Sequence, residues 1–483
     1  MKKIYGPNLS KNAEGIPSLP VCNEGKGMRG KPIPVVAIFD VGKTNKKLFL
    51  FNEQYQIVFE RSARFLETTD EDGDSCENLE SLRLSVFDSL HEVFRKGEFE
   101  IKAINFTSYG ASFVYIDKDG RPLTPLYNYL KEYPKKLLDS FYAQYGGKDT
   151  LALETSSPSL GSLNSGLQIY RIFKLKPVIY KEVKWALHLP QYLSYLISGQ
   201  AYSDMTSIGC HTALWDFNQN NYHQWVLDTG IIQKMAPIVQ GDQLFRATFP
   251  GSGYLVGSGL HDSSSALIPY LLNFHEPFVL ISTGTWCISF NPFNEQPLTK
   301  EELHEDCLQY MTYTGKPVKA SRLFAGYEHE EQVRRIANFF QVSTGKFKQI
   351  GLQWNIIEKY QALDISDELS AFSSIDLSHF NDYTEAYHVF MMHLVKAQIK
   401  ATSLVLQNNG VQRIFVDGGF SRNIIYMTLL AQAFPNSEVF GASMAQATAL
   451  GAALVIHEHW NTQAMPNDMI ELRYFRAKQQ THI

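Results

Sequence analysis

The chain alternates between short apolar runs of strand length and longer stretches in which apolar residues recur every three or four positions. From Pro34, three strand-like runs succeed one another, VVAIFDVG, KKLFLFN and QIVFERSARF. Most are bounded by Gly or Asn, and together they predict an antiparallel meander. Leu82, Val86, Leu90, Val93 and Phe94 share one helical stripe, which predicts a helix over Leu79–Phe94. IKAINFTSYG then reads as a strand ending in glycine and FVYIDKDGRPL as a hairpin around an Asp-Gly turn. Residues 160–200 read as helical with proline breaks.

The second half repeats this texture. Pro277–Phe290, PFVLISTGTWCISF, is a strand, a Gly-containing turn and a strand, and Tyr383–Gln407 is a long amphipathic helix stopped by Asn408-Asn409-Gly410. RIFVDGG comes next as a strand, Ser421–Phe434 as a helix, EVFGA as a short strand and Met444–Ile456 as a helix of small residues. Such alternation predicts an α/β chain. With 483 residues it exceeds what one core organises, roughly 250–300 residues. We expect an irregular arm over 1–33, a first domain over 34–265 and a second over 266–483, with the break falling between 258 and 275.

Charge narrows the partners. The 44 Lys and Arg against 49 Asp and Glu give a net charge of −5 without a long basic run, so nucleic acid and anionic membranes are poor partners. Small neutral or phosphorylated molecules fit better, with a homodimer left open. Cys22, Cys76, Cys210, Cys287 and Cys307 are too far apart for the Cys-x-x-Cys pattern of zinc sites and redox dithiols, and read as free thiols of a reducing compartment. The amino terminus lacks the apolar core of a secretory signal and no long apolar run reads as a membrane span, so a cytoplasmic location is expected.

Within VAIFDVGKTN, Gly42-Lys43-Thr44 looks like the end of a P-loop. However, Ala37 stands where that motif needs glycine, and Leu48–Phe51 continues as a strand where it needs a helix. The alternative is a tight hairpin whose turn amides, Gly42 to Asn45, cradle phosphate oxygens while Asp40 faces the accompanying metal. An Asp-x-Gly at a strand end is also an ordinary turn. Ile281–Ser289, ISTGTWCIS, repeats the hairpin, and VDGGFSRN adds paired glycines against which a flat ring can lie.

DVGKTN, SGLHDSSSA, STGTW and GGFSRN, in that order, resemble the FGGY carbohydrate kinases from about Val35 to Ile456, and STGTW with His261-Asp262 is most similar to the rhamnulokinase and fuculokinase branch. The resemblance implies two actin/hexokinase-like (ribonuclease H-like) α/β domains with a nucleotide and sugar cleft between them. It also implies an enzyme using ATP and Mg²⁺ to phosphorylate a hydroxyl of a ketose or a polyol. The ketose would be a 6-deoxyketohexose or a pentulose, such as rhamnulose, fuculose, xylulose or ribulose. A non-catalytic sensor of nucleotide or sugar is the alternative on the same fold.

Carried over residue by residue, Asp262 matches the catalytic base and Asp40 the Mg²⁺ carboxylate. Gly42, Thr44, Asn45 and Lys46 match the first phosphate hairpin, Gly284 and Thr285 the second, and Gly418, Gly419 and Asn423 the adenosine segment. Tyr109, Gly110 and Ser112 in TSYGASF, with His261 and Ser263, match the sugar site. For Asp262 a helix N-cap is the structural alternative, since SSSALIPYLL comes directly after it. Two departures bear on the sugar. Tyr109 and Ser112 replace the branch's usual Trp and Asp, and no Arg-Thr pair comes after them; Tyr129 and Lys131 stand there instead, in what reads as a solvated loop, with a place lining the cleft as the alternative. Glu328, His329 and Glu331 read as a solvent-facing helix start, with a reach to the sugar or nucleotide as the alternative.

Overall fold

The computed structural model describes residues 31–43, 46–63, 66–248, 252–361, 365–406, 410–444 and 446–476. Nearly all of the arm expected over 1–33 lies outside these residues, as do Thr44 and Asn45 of the first phosphate turn and Cys22.

A strand, not a helix, succeeds the first glycine turn, and this rules out a P-loop. Strand Ile33–Val41 is paired antiparallel with strand Lys46–Asn52, Asp40 opposite Lys47, and Ile57–Ala63 completes the meander. Phe99–Ser108 then lies parallel to Ile33–Val41, placing Thr107 beside Asp40, and Leu260–His261 lies parallel to Phe99–Ser108, placing His261 beside Ser108. This first sheet has seven strands.

The second seven-stranded sheet has the same plan. Phe278–Thr283 pairs antiparallel with Cys287–Asn291, which pairs antiparallel with Pro317–Leu323, while Arg413–Gly418 runs parallel to Phe278–Thr283. Each half therefore presents a hairpin turn beside the carboxyl end of a parallel strand, where open α/β sheets bind ligands.

Apolar burial closes both faces of each sheet. On the first, Leu82, Val86, Leu90 and Val93 of helix Leu79–Lys96 are buried against Val35, Ala37 and Phe106. On the second, helix Tyr383–Leu406 supplies Tyr387, Phe390, Met391 and Leu394 to the core. By length and composition this 24-residue helix could cross a membrane, contrary to the sequence expectation, but two thirds of its most apolar window is buried inside the protein.

Two boundaries differ from expectation. The helix expected to open at Ser421 opens at Ile424. Asn423 caps it by accepting the Ile425 and Tyr426 amides, and residues Gly419–Arg422 form a separate tight turn. The small-residue helix is confined to Ala447–Leu454, and it packs on the first sheet rather than the second. Ala449, Leu450, Ala452 and Ala453 share a core with Val36, Ile38, Phe49 and Phe51.

That helix also crosses helix Asp262–Asn273 at very short range. A Cβ on Gly451 would stand 1.9 Å from the Ser265 carbonyl oxygen, and Ser265 Oγ donates to the Thr448 carbonyl at 2.7 Å. Asp262–Asn273 packs Ile268 toward the first sheet and Leu267 and Tyr270 toward the second. The crossing pair is thus the seam of the two halves. Gly451→Val forces this seam open and is expected to lower stability by about 1–3 kcal/mol, as overpacking does. Chemical denaturation checks this, and an unchanged midpoint would contradict the packing described.

Candidate active site

Asp262 is the first residue of its helix. The cap position belongs to His261, whose side chain makes no capping bond, so the N-cap alternative does not describe Asp262. One carboxylate oxygen, Oδ1, accepts the Ser263 amide at 2.7 Å and the Ser263 hydroxyl at 3.3 Å, and lies 3.4 Å from His261 Nε2. The side chain is 31 % exposed, open to the cleft on one side and fixed on the other.

Asp40 is held from across the seam. Thr448, at the start of helix Ala447–Leu454, donates its hydroxyl to Asp40 Oδ2 at 2.7 Å. Burial pushes the Asp40 carboxyl up to about 6, the Thr448 bond opposing this and the nearby Asp262 charge adding to it. A desolvated hard-oxygen donor beside a second carboxylate suits a hydrated divalent cation such as Mg²⁺, which would relieve both effects.

Around the expected sugar site, Gly110 is required by space. A Cβ there would stand 2.7 Å from His261 Cδ2. His261 is buried, its backbone amide donates to Thr206 Oγ1 at 2.9 Å, and its Nε2 meets Cys210 Sγ at 3.3 Å. Burial holds its imidazole below the usual range, with Asp262 opposing. His211 is pushed down to about 3 by burial and then by the Arg322 charge, and its backbone sits at φ 38°, a strained value for a side chain aimed inward.

Two expected sugar contacts are otherwise engaged. Ser112 is buried and donates to the Tyr127 carbonyl at 2.9 Å, so its hydroxyl does not replace the missing carboxylate. Tyr109 donates its hydroxyl to buried Glu77 at 2.7 Å and meets Tyr129 edge to face with centroids 5.5 Å apart. Lys46 and Lys43 approach Glu77 at 3.0 and 3.6 Å, so Lys46 is tied to a carboxylate beneath the first hairpin. The solvated loop expected around Tyr129 and Lys131 is instead packed. Tyr129 is half-buried, and the Lys131 side chain, 6 % exposed, lies 2.7 Å from each of Asp70, Asp72 and Asp74.

The second hairpin is stitched to the paired glycines. Thr283 Oγ1 donates to the Asp417 carbonyl at 2.5 Å and accepts the Phe420 amide at 3.0 Å. Gly418, at φ 89°, approaches Thr283 so closely that a Cβ would stand 2.0 Å from its carbonyl oxygen. Gly284 and Thr285 form the turn, the Gly284 amide donating to the Trp286 carbonyl and the Thr285 carbonyl accepting from Tyr327. Gly419 has open space on its Cα, whereas Asn423 is occupied by its helix cap and by the Tyr387 hydroxyl at 2.8 Å. His329 meets that hydroxyl at 3.1 Å and is buried, in contrast to the solvent-facing helix start expected for it. Glu331 is half-buried and pairs with Arg334.

Sequence reasoning missed three features. Glu77 comes after an acidic loop and carries no local signal. Arg322, whose guanidinium bonds Asp306 at 2.6 Å and lies over Trp286, brings a cation into the cleft from the second half, where no Arg-Thr motif announced one. Trp286, Phe324 and Tyr327 form a ladder of partly exposed rings with centroids 4.4 and 4.6 Å apart beside the second hairpin.

Comparison with known proteins places this geometry in a family. Residues 35–268 match the FGGY family of carbohydrate kinases, N-terminal domain, and residues 275–464 match carbohydrate kinase FGGY, C-terminal domain. A rhamnulokinase of Halalkalibacterium halodurans is 22 % identical over 266 residues, 52 % of this chain and 54 % of that protein, so the match spans about half the length of this curated relative. The crystal structure of a carbohydrate kinase from Novosphingobium aromaticivorans superposes with a TM-score of 0.74 at 21 % identity, covering 92 % of this chain and 95 % of that one. A ligand-bound xylulose kinase from Lactobacillus acidophilus gives 0.74 at 14 % identity, covering 92 % and 94 %.

The coupling of the two carboxylates is measurable without substrate. Asp40 is expected to titrate near 6 by carboxyl-labelled NMR, and Asp262→Asn to move that titration downward, because a like charge that favours the protonated form is removed. An Asp40 titration indifferent to Asp262 would contradict the arrangement.

Proposed function

The chain belongs to the FGGY family of carbohydrate kinases, and from that premise we propose that it transfers the γ-phosphoryl group of ATP to a hydroxyl of a ketose or polyol, with Asp262 as general base. The observation that carries this reading is the proximity of Asp262 to Asp40 at the end of the first hairpin, together with a second glycine-turn hairpin of the same plan in the other half, a pattern suited to phosphoryl transfer and superfluous for simple binding. The sensor alternative leaves the oriented Asp262 without a task.

Ser263 holds Asp262 Oδ1 in place while the carboxylate accepts the proton of the attacking hydroxyl. The hydroxyl oxygen then bonds to the γ-phosphorus as the bond to the β,γ-bridging oxygen breaks, leaving ADP. The turns at Gly42 and Gly284 offer backbone amides to the phosphates, and the open backbone at Gly419 offers a surface for adenosine. Asp40 is the residue to hold Mg²⁺, which when bound supplies positive charge to the phosphates. For the acceptor we propose a 6-deoxyketohexose or pentulose, lying between the Tyr109 and Tyr129 rings and His261. With Ser112 turned away to Tyr127, selectivity rests on ring packing and imidazole contacts rather than on a carboxylate at that position.

Asp262→Asn keeps the shape of the site and removes the base. Turnover is expected to fall by about 10²–10⁴-fold, the usual worth of general-base catalysis, with nucleotide affinity by calorimetry unchanged. Near-normal turnover would remove Asp262 from the role given to it.

A further inference from the structure

Beside the acceptor site, and sharing His261 with it, lies a group whose other members, Cys210 and His211, have no part in the phosphoryl transfer proposed above. Cys210, His211 and His261 are all buried, and Cys210 Sγ with one ring nitrogen from each histidine falls within 4.8 Å of one another. Nδ1 of both His211 and His261 is buried without a hydrogen-bond partner. Buried imidazole nitrogens are ordinarily satisfied; His261 faces the thiol through Nε2 rather than through its unpartnered Nδ1, so the orphaned atom that bears on this group is His211 Nδ1. Zinc bound tetrahedrally by nitrogen and sulfur needs ligand atoms roughly 3.3–3.6 Å apart. The Cys210 Sγ to His261 Nε2 separation is already 3.3 Å, and the remaining edges, each within 4.8 Å, require a contraction of at most about 1.5 Å. Asp262 Oδ1 lies outside this group, held by Ser263, but is 3.4 Å from His261 Nε2 and so is the nearest carboxylate that a side-chain shift could bring in as a fourth ligand. Arg322 faces the group from the second half, but its charge is paired with Asp306 at 2.6 Å.

We propose that Cys210, His211 and His261 form a binding site for a thiophilic divalent cation of the Zn²⁺ class, which recruits Asp262 as its fourth ligand and so switches off the acceptor site. Binding exchanges the Cys210 thiol proton, released to solvent, for a sulfur–metal bond, and no redox change is involved. Mg²⁺, a hard cation, has no affinity for this donor set and stays with Asp40 and the nucleotide. The inhibitory consequence rests on the role proposed for Asp262, whereas the binding itself does not.

The test is titration of the metal-stripped full-length protein with Co²⁺, and then its displacement with Zn²⁺. The expected result is one equivalent bound with a thiolate-to-cobalt band in the near ultraviolet, lost in Cys210→Ser and in His211→Ala and kept in Cys307→Ser. Where turnover is measured, Zn²⁺ inhibition should be relieved by excess acceptor and not by excess Mg²⁺·ATP, and Cys210→Ser should lose that sensitivity relative to its own metal-free rate. Absence of the band, or its survival in Cys210→Ser, overturns the site. A band without acceptor-competitive inhibition keeps the site and overturns the switch.

Discussion

The close crossing of two helices at Gly451 and Ser265 is the constraint on which the rest of the molecule depends. Because no side chain separates the backbones there, Asp262 at the start of one helix and Thr448 at the start of the other are carried to the same end of the first sheet. Thr448 then engages Asp40, and two carboxylates that repel one another are held together by packing energy spent elsewhere. Ser265 reinforces the crossing by bonding the Thr448 carbonyl. The chemistry is stored in a helix contact that contains no charged group.

Around that seam the two halves contribute unlike things. The first supplies Asp40, the Tyr109 and Tyr129 rings and the Glu77 carboxylate that anchors Lys43 and Lys46 beneath the first hairpin. The second supplies the hairpin at Gly284, the glycines at 418 and 419, and Arg322 with its aromatic neighbours. The halves meet beside Asp262, where Arg322 of the second acts on Cys210 and His211 of the first, so relative movement of the sheets alters the shape of the proposed acceptor cleft.

Much of the fold was legible because it is written in local periodicity. The apolar run in KKLFLFN and the stripe from Leu82 to Phe94 each name an element without reference to anything distant, and the strand after Thr44 was enough to set aside a P-loop. Close backbone approaches were legible where they demand glycine, as at Gly110 against His261 or Gly418 against Thr283. What could not be read was long-range pairing. Nothing near Lys131 announces the three aspartates that bury it, nothing near Ser112 announces the Tyr127 carbonyl, and the small residues of Ala447–Leu454 specify a helix without saying which sheet it covers. Asn423, matched to the adenosine segment, also caps the helix that starts at Ile424, a local role its sequence position equally allowed.

The central claim is that this cleft passes a phosphoryl group to a sugar hydroxyl. The most direct test is to incubate the protein with γ-labelled ATP, Mg²⁺ and a panel of 6-deoxyketohexoses, pentuloses, ketohexoses and polyols, and to trace the label by mass spectrometry. The account predicts that the label appears on an acceptor of the ketose or polyol class in step with ADP formation. Label found only as inorganic phosphate, or no ADP formed with any acceptor although ATP binds, would contradict it.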